Sequence, residues 1–269
     1  VKSSREDFLM LLTTDIGNTN ITLGLYDEDA LVEEFRLASD KDLSLEEYQV
    51  LLKSLFKNFI INDCIIASVV EELSNKFQSA IKNVFNIEPV FLTADINTGI
   101  KIKTDNPQEV GGDRIANAAG AYVLYKCPII VIDFGTATSF DIINSNGEFI
   151  GGVITPGLNL QMKVLNQFTS KLPKIDVAIS NKAIGNNTTD AILSGVIRGS
   201  ACMIDGLVEQ CEKELGKKVT LVATGGYSGL IANYLKRPFD FINPTLTLDG
   251  LRHLYNLNKK DSEITLRLD

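Results

Sequence analysis

The sequence predicts an α/β protein built twice on one design, with helices packed on a mixed sheet in each half. Three observations predict it. Each half opens with strand, Asp-x-Gly, strand, turn, strand, at Asp15-Ile16-Gly17 and again at Asp133-Phe134-Gly135. In each half the opening gives way to helices alternating with strands. The 269 residues, 45% hydrophobic and 22% charged, supply apolar material for two ordinary domains, divided as 10–125 and 126–269.

Residues 11–15 carry a buried-strand pattern and 21–26 a second, with Gly17, Asn18, Thr19 and Asn20 as the turn between them. A third strand follows at 31–37. Ser44 with Glu47 forms a capping box, and Leu45, Tyr48, Leu51, Leu52 and Leu55 keep helical spacing behind it. A strand at 64–70, a helix at 72–85 and a short strand at 89–92 complete a β-β-β-α-β-α-β half. Asn106-Pro107 punctuates a loop before a helix that begins near Gly112. The second half places strands at 129–133, 138–143 and 149–154, with a turn at 144–147. Helices at 158–168 and 188–215, a strand at 219–223 and a helix after Gly225-Gly226 complete it.

A net charge of −8 argues against nucleic acid as a main partner, because phosphate backbones demand clustered Lys and Arg. The pairs Lys217-Lys218 and Lys259-Lys260 are read as solvated surface. Such a balance still permits ATP, held by backbone N–H groups and Mg²⁺. Cys64, Cys127, Cys202 and Cys211 are widely spread without a C-x-x-C and are expected as small buried hydrophobes. His253 is the sole histidine, in a helical, charged stretch, so His-based triads and His metal clusters must run through it alone. Apolar runs such as 128–132 are too short to span a membrane. The apolar patch Phe8 to Leu12 meets Asp15 at once and lacks an A-x-A-like cleavage site, so a cytoplasmic protein is expected, with residues 1–9 as an extension before Met10.

Asp15 ends a strand, and Gly17 lets the turn after it approach a ligand, where successive N–H groups can form an anion nest. Asn18, Thr19 and Asn20 add short donors, and Asp15 suits Mg²⁺ or a metal-bound water; an ordinary hairpin turn also uses these residues. Asp133-Phe134-Gly135-Thr136-Ala137-Thr138 repeats the design, and an Asp ending an apolar strand is costly to bury without a partner. Gly111-Gly112-Asp113-Arg114 opens a helix. Capping explains Asp113 there but leaves Arg114 at the wrong helix end. The helix dipole and Arg114 are both expected to depress the Asp113 pKa. A base in phosphoryl transfer tolerates this, because the transition state is loose and positioning outweighs base strength. Ala223-Thr224-Gly225-Gly226 fits either an adenosine or phosphate contact or a plain strand-to-helix turn, and Gly185-Asn186-Asn187-Thr188 fits a helix N-cap.

Taken in order, D-x-G-N-T at 15–19, N-P-x-E-V-G-x-D-R at 106–114, D-F-G-T-A-T at 133–138, G-G-V-I-T-P-G at 151–157, K-L-P at 171–173, I-G-x-N-T at 184–188 and A-T-G-G at 223–226 closely resemble the type III pantothenate kinases. The resemblance runs from about Met10 to Leu254. It implies two duplicated ribonuclease-H-like domains of the acetate-kinase/sugar-kinase/Hsp70/actin type around a nucleotide cleft, and a homodimer. It implies phosphorylation of pantothenate by ATP, with Mg²⁺ and a monovalent cation, K⁺ or NH₄⁺. By the same resemblance Asp15, Ile16, Gly17, Asn18, Thr19, Asn20, Ile21 and Thr22 form the first phosphate hairpin, and Thr136 is an ATP contact. Gly111, Gly112, Asp113 and Arg114 line the pantothenate site with Asp113 as proton acceptor, Thr188 contacts pantothenate, and Asp133 is the monovalent-cation ligand. The chain departs from the pattern at Thr104, where the family's pocket has a tyrosine, at Gly112 for the usual Ala and at Ser139 for the usual Thr. A polyphosphate-type hydrolase of this superfamily would need a longer, more basic channel. A non-enzymatic regulator would bind ATP without pantothenate-dependent turnover.

Overall fold

A computed structural model describes residues 10–93 and 96–265, with side chains through 259. The expected extension at 1–9, including Phe8 of the apolar patch, lies outside the described residues. The chain separates into two units: one of 1–99, 106–120 and 247–269, the other of 100–105 and 121–246.

In the first unit β1 (Met10–Ile16), β2 (Asn20–Asp27), β3 (Ala30–Ala38), β4 (Ile61–Ser68) and β5 (Val90–Phe91) form one sheet in the order β3-β2-β1-β4-β5. The core joins Leu12, Ile16, Leu23 and Leu25 of the sheet to Tyr48 and Leu52 of α1 (Leu45–Leu55) and Leu73, Phe77 and Ile81 of α2 (Glu71–Phe85). Tyr48 and Phe77 meet edge to face at 5.4 Å. The capping box at Ser44 forms in both directions: its Oγ accepts from the Glu47 N–H at 3.2 Å, and Glu47 accepts from the Ser44 N–H at 2.8 Å.

The second unit repeats this arrangement. β6 (Lys101–Ile102), β7 (Ile129–Phe134), β8 (Ala137–Ile143), β9 (Glu148–Pro156), β10 (Thr220–Gly225) and β11 (Phe241–Ile242) lie in the order β11-β10-β7-β8-β9-β6. β1 is antiparallel to β2 and parallel to β4; β7 is antiparallel to β8 and parallel to β10. The duplication inferred from two Asp-x-Gly tripeptides is therefore a duplication of sheet topology. α4 (Leu158–Gln167), α5 (Thr188–Leu193), α6 (Gly199–Leu215) and α7 (Ser228–Ala232) complete this unit after α3 (Gly112–Leu124), whose first turns belong to the other one.

Four points differ from the sequence reading. α8 (Leu246–Thr265) follows the 126–269 division only in sequence, because from Thr247 it packs with the first unit. There Tyr26 Oη donates to Asp249 at 2.7 Å, and Thr247 Oγ1 donates to Asn117 Oδ1 at 2.8 Å. The expected helix at 188–215 is interrupted by a π-helical stretch, Ser194–Arg198. That 28-residue helical run is long and apolar enough to cross a membrane by length and composition, which contiguous apolar runs did not reveal. Its Ile192, Leu193, Val196, Ile197, Ala201, Ile204 and Val208 nonetheless pack in the core of the second unit. Of the four cysteines only Cys64 is buried, its thiol pushed up to about 12 by burial; Cys127 and Cys211 are half-buried and Cys202 is exposed, since each follows its helix or loop face.

Candidate active site

Asp15 is the penultimate residue of β1, directly across from Thr22 on β2 and Ala67 on β4. The turn after it is tight: the Gly17 N–H donates to Asn20 O at 2.9 Å, and Ser39 Oγ donates to Gly17 O at 2.6 Å. The Ser39 N–H donates to Thr19 O at 3.0 Å, so the residue just after β3 braces the tip. Asn18 and Thr19 are exposed at that tip. Ile16 and Ile21, both in the predicted phosphate hairpin, are fully buried and pair with each other, so only their backbone can serve a ligand. The Gly17 N–H is spent on closing the turn.

The start of α3 packs on the same strand ends. The Gly112 position lies against Ala67, where an added β-carbon would stand 3.2 Å from that of Ala67. The Val69 N–H donates to Ile16 O at 3.1 Å, and Val69 packs beside Gly111. Ala67 and Val69, which carry no chemistry of their own, thus bring the Asp15 strand end and the 111–113 turn together. Nothing in the sequence pattern singled them out.

Asp113 Oδ1 accepts from the Arg114 N–H at 2.8 Å. A β-carbon on Gly111 would stand 2.5 Å from that oxygen, so a side chain at 111 would displace the carboxylate from this position. Burial raises the Asp113 pKa above the ordinary aspartate value, outweighing the Arg114 N–H and the Arg114 charge, which lower it. The sequence expectation of a depressed pKa is thus reversed. Dipole and cation are both local and legible, whereas desolvation arises only when the chain folds.

In the second unit Asp133 is the penultimate residue of β7, across from Ser139 on β8 and Thr224 on β10. The Gly135 N–H donates to Ala137 O at 3.0 Å, closing this hairpin as Gly17 closes the first. Thr136 is exposed at its tip. Gly225 has φ +83° and lies against the Asp133 carboxylate. The structure thus brings Asp133, Thr136, Ser139 and Thr224 to one hairpin end.

Thr188 is the first residue of α5, and Asn187 is its N-cap, accepting from the Asp190 N–H at 2.9 Å. More than capping happens here. Thr188 lines a cavity of about 590 Å³ with Leu165, Leu172, Gly185, Ile192 and Val196. Thr104 follows the edge strand β6, and its Oγ1 is buried without a hydrogen-bond partner. A buried hydroxyl left unpaired costs free energy unless a ligand satisfies it.

Among the described residues no three His, Cys, Asp or Glu side chains converge as a metal cluster. An ion of the Mg²⁺ type takes one or two carboxylates and completes its shell with waters and substrate phosphates. Asp15 and Asp133 each stand at a strand end beside an exposed turn, and Asp15 is a donor of that kind.

A family model described as type III pantothenate kinase matches residues 11–210. The chain belongs to that family. Relatives in it include the type III pantothenate kinase of Dehalococcoides mccartyi (strain CBDB1), 43% identical over 93% of this chain and 96% of the relative. That of Syntrophobacter fumaroxidans is 40% identical over 94% of this chain and 100% of the relative. Family membership makes the protein a kinase. Among solved structures it is similar to MreB 5 of Spiroplasma citri bound to AMPPNP, with a TM-score of 0.56 at 12% identity over 97% of this chain and 100% of that one. It is also similar to a ROK family glucokinase from Streptomyces griseus in complex with glucose and AMPPNP, with a TM-score of 0.50 at 14% identity over 93% and 99%. At such identities these likenesses establish the fold: the family member has the duplicated ribonuclease-H-like architecture shared by actin-like proteins and sugar kinases.

Proposed function

We propose that this kinase transfers the γ-phosphoryl group of ATP to the terminal hydroxyl of pantothenate, giving ADP and 4′-phosphopantothenate for coenzyme A synthesis. The observation that carries the reading is the Asp113 carboxylate, set at the start of α3 beside the Asp15 strand end in a chain of this family. Its raised pKa moves it toward the range useful for taking a proton.

Each hairpin has a part. The tip at Asn18 and Thr19 offers donors to phosphate oxygens, and Asp15 holds the divalent ion through water or directly. Thr136 contacts the nucleotide from the second hairpin, and Asp133 holds a monovalent cation. When bound, these cations neutralise charge on the phosphates. Asp113 orients the acceptor hydroxyl and takes its proton as the O–P bond forms. Arg114 adds positive charge beside the transferring group. Gly111 and Gly112 let the acceptor approach the backbone, and Thr188 and the Thr104 hydroxyl bond to it. The protein acts as a cytoplasmic homodimer.

The test is ADP formation with pantothenate, glycerol, acetate or no acceptor, each in K⁺ and in Na⁺. Pantothenate alone is expected to raise ADP release, and more strongly in K⁺. Equal release with and without pantothenate overturns the reading.

A further inference from the structure

The second hairpin is gripped from two sides by glycines. Gly157, just after β9, is the residue before α4 and has φ −68° and ψ 166°, a conformation open to any residue. Its N–H donates to Thr136 O at 3.0 Å. A β-carbon at Gly157 would stand 2.5 Å from Thr136 O and closer still to Gly135 O. Glycine is required here by close approach, not by conformational freedom.

Gly225 makes the complementary contact. It pairs with Phe134 across β10 and β7, and Ser228 Oγ donates to its carbonyl at 2.9 Å, fixing the turn. A β-carbon there would stand 2.6 Å from Asp133 Oδ1 and 2.6 Å from Phe134 N. The obstructing atoms are mostly backbone, which yields only if the hairpin moves. Gly229, four residues on, has nothing within 4 Å of such a carbon.

We infer that Gly157 and Gly225 are positioning residues for phosphoryl transfer. Gly157 sets where the 135–136 backbone and Thr136 sit, and Gly225 sets where the Asp133 carboxylate sits. This explains why β10 ends in T-G-G: besides turning the chain, Gly225 leaves the space that Asp133 fills. The inference rests on the proposed reading in which this hairpin meets the nucleotide.

The test compares Gly157→Ala, Gly225→Ala and Gly229→Ala in the full chain. Thermal melting reports the fold, calorimetry without acceptor reports the MgATP dissociation constant, and steady-state kinetics report KM for each substrate. Gly157→Ala is expected to melt cooperatively, bind MgATP about tenfold more weakly and lose about a hundredfold in kcat/KM for ATP, with KM for pantothenate unchanged. Gly225→Ala should do the same and also lose the extra thermal stabilisation that K⁺ gives over Na⁺. Gly229→Ala should match wild type in MgATP affinity and in kinetics. A folded Gly157→Ala with wild-type MgATP affinity overturns the inference, as does a Gly229→Ala equally impaired. Gly157→Ala decides even where Gly225→Ala fails to fold, because alanine suits its backbone angles. The binding measurement needs no acceptor. If wild type binds MgATP without phosphorylating pantothenate, the substrate reading falls while the positioning role is still decided.

Discussion

The Asp113 carboxylate fills the space where a side chain on Gly111 would begin, 2.5 Å from that absent β-carbon. Burial desolvates that carboxylate, and desolvation outweighs both the Arg114 charge and its N–H. Glycine at 111 and a raised pKa at Asp113 thus occur side by side at the start of α3.

For a carboxylate whose pKa is raised on folding, the folded state binds the proton more tightly than the unfolded state. The stability it contributes is present below the unfolded pKa and is lost as pH rises through the folded pKa. Above both values the ionised Asp113 costs stability. Asp113→Asn is expected to lower kcat by about 10²–10⁴-fold while melting at the wild-type temperature or higher in mildly alkaline buffer. In wild type, kcat/KM should fall on the acid side through a pKa above the ordinary aspartate range. Arg114→Met, which removes a lowering influence, should move that limb to higher pH. Calorimetric melting with pH-dependent ADP assays checks all three.

Gly111→Ala pushes directly on Asp113 Oδ1. It is expected to cost about a hundredfold in kcat, the effect of misplacing a reacting group by about an ångström. Gly206→Ala in α6 meets nothing within 4 Å and should instead stabilise by about 0.5–1 kcal/mol. Kinetics and thermal melts on both variants, side by side, separate a displaced carboxylate from a general loss of fold.

Asp133→Asn should remove the difference between K⁺ and Na⁺ in both turnover and melting temperature. Melting curves in the two salts are the check. A K⁺ response equal to wild type moves the cation site elsewhere.

Glu212 is 7% exposed, and burial alone would raise its pKa. Lys218 Nζ at 2.6 Å, the Val219 N–H at 3.0 Å and Arg237 at 2.6 Å outweigh burial and lower it. A lowered carboxylate stabilises the fold above its unfolded pKa, and that stability is lost as pH falls through the folded value. Glu212→Gln is expected to cost about 1–2 kcal/mol at neutral pH, discounted because Lys218 is mostly solvent-exposed, and to flatten the acid side of the stability curve. Urea midpoints across pH measure this.

The two hairpins were legible because an apolar run ending in Asp-x-Gly is a local pattern, and Asp15 and Asp133 occupy equivalent sheet positions as that pattern implies. The helix at Leu45–Leu55 was legible through its capping box and spacing. What escaped depends on partners distant in sequence. β6 and β11 are two-residue strands defined by pairing with β9 and β10, which their own residues do not encode. The allegiance of α8 is fixed by contacts such as Tyr26 to Asp249, 223 positions apart. The sign of the Asp113 shift needed the burial of that carboxylate in the fold, and the close approach at Gly157 needed the hairpin carbonyls laid against it.

The central claim is that phosphoryl transfer goes from ATP to the pantothenate hydroxyl under Asp113. The most direct measurement is mass spectrometry of pantothenate after incubation with γ-labelled ATP, for wild type and Asp113→Asn. The account predicts labelled 4′-phosphopantothenate from wild type and almost none from the folded variant. ADP formation with the label found only in free phosphate, or equal labelled product from Asp113→Asn, would contradict it.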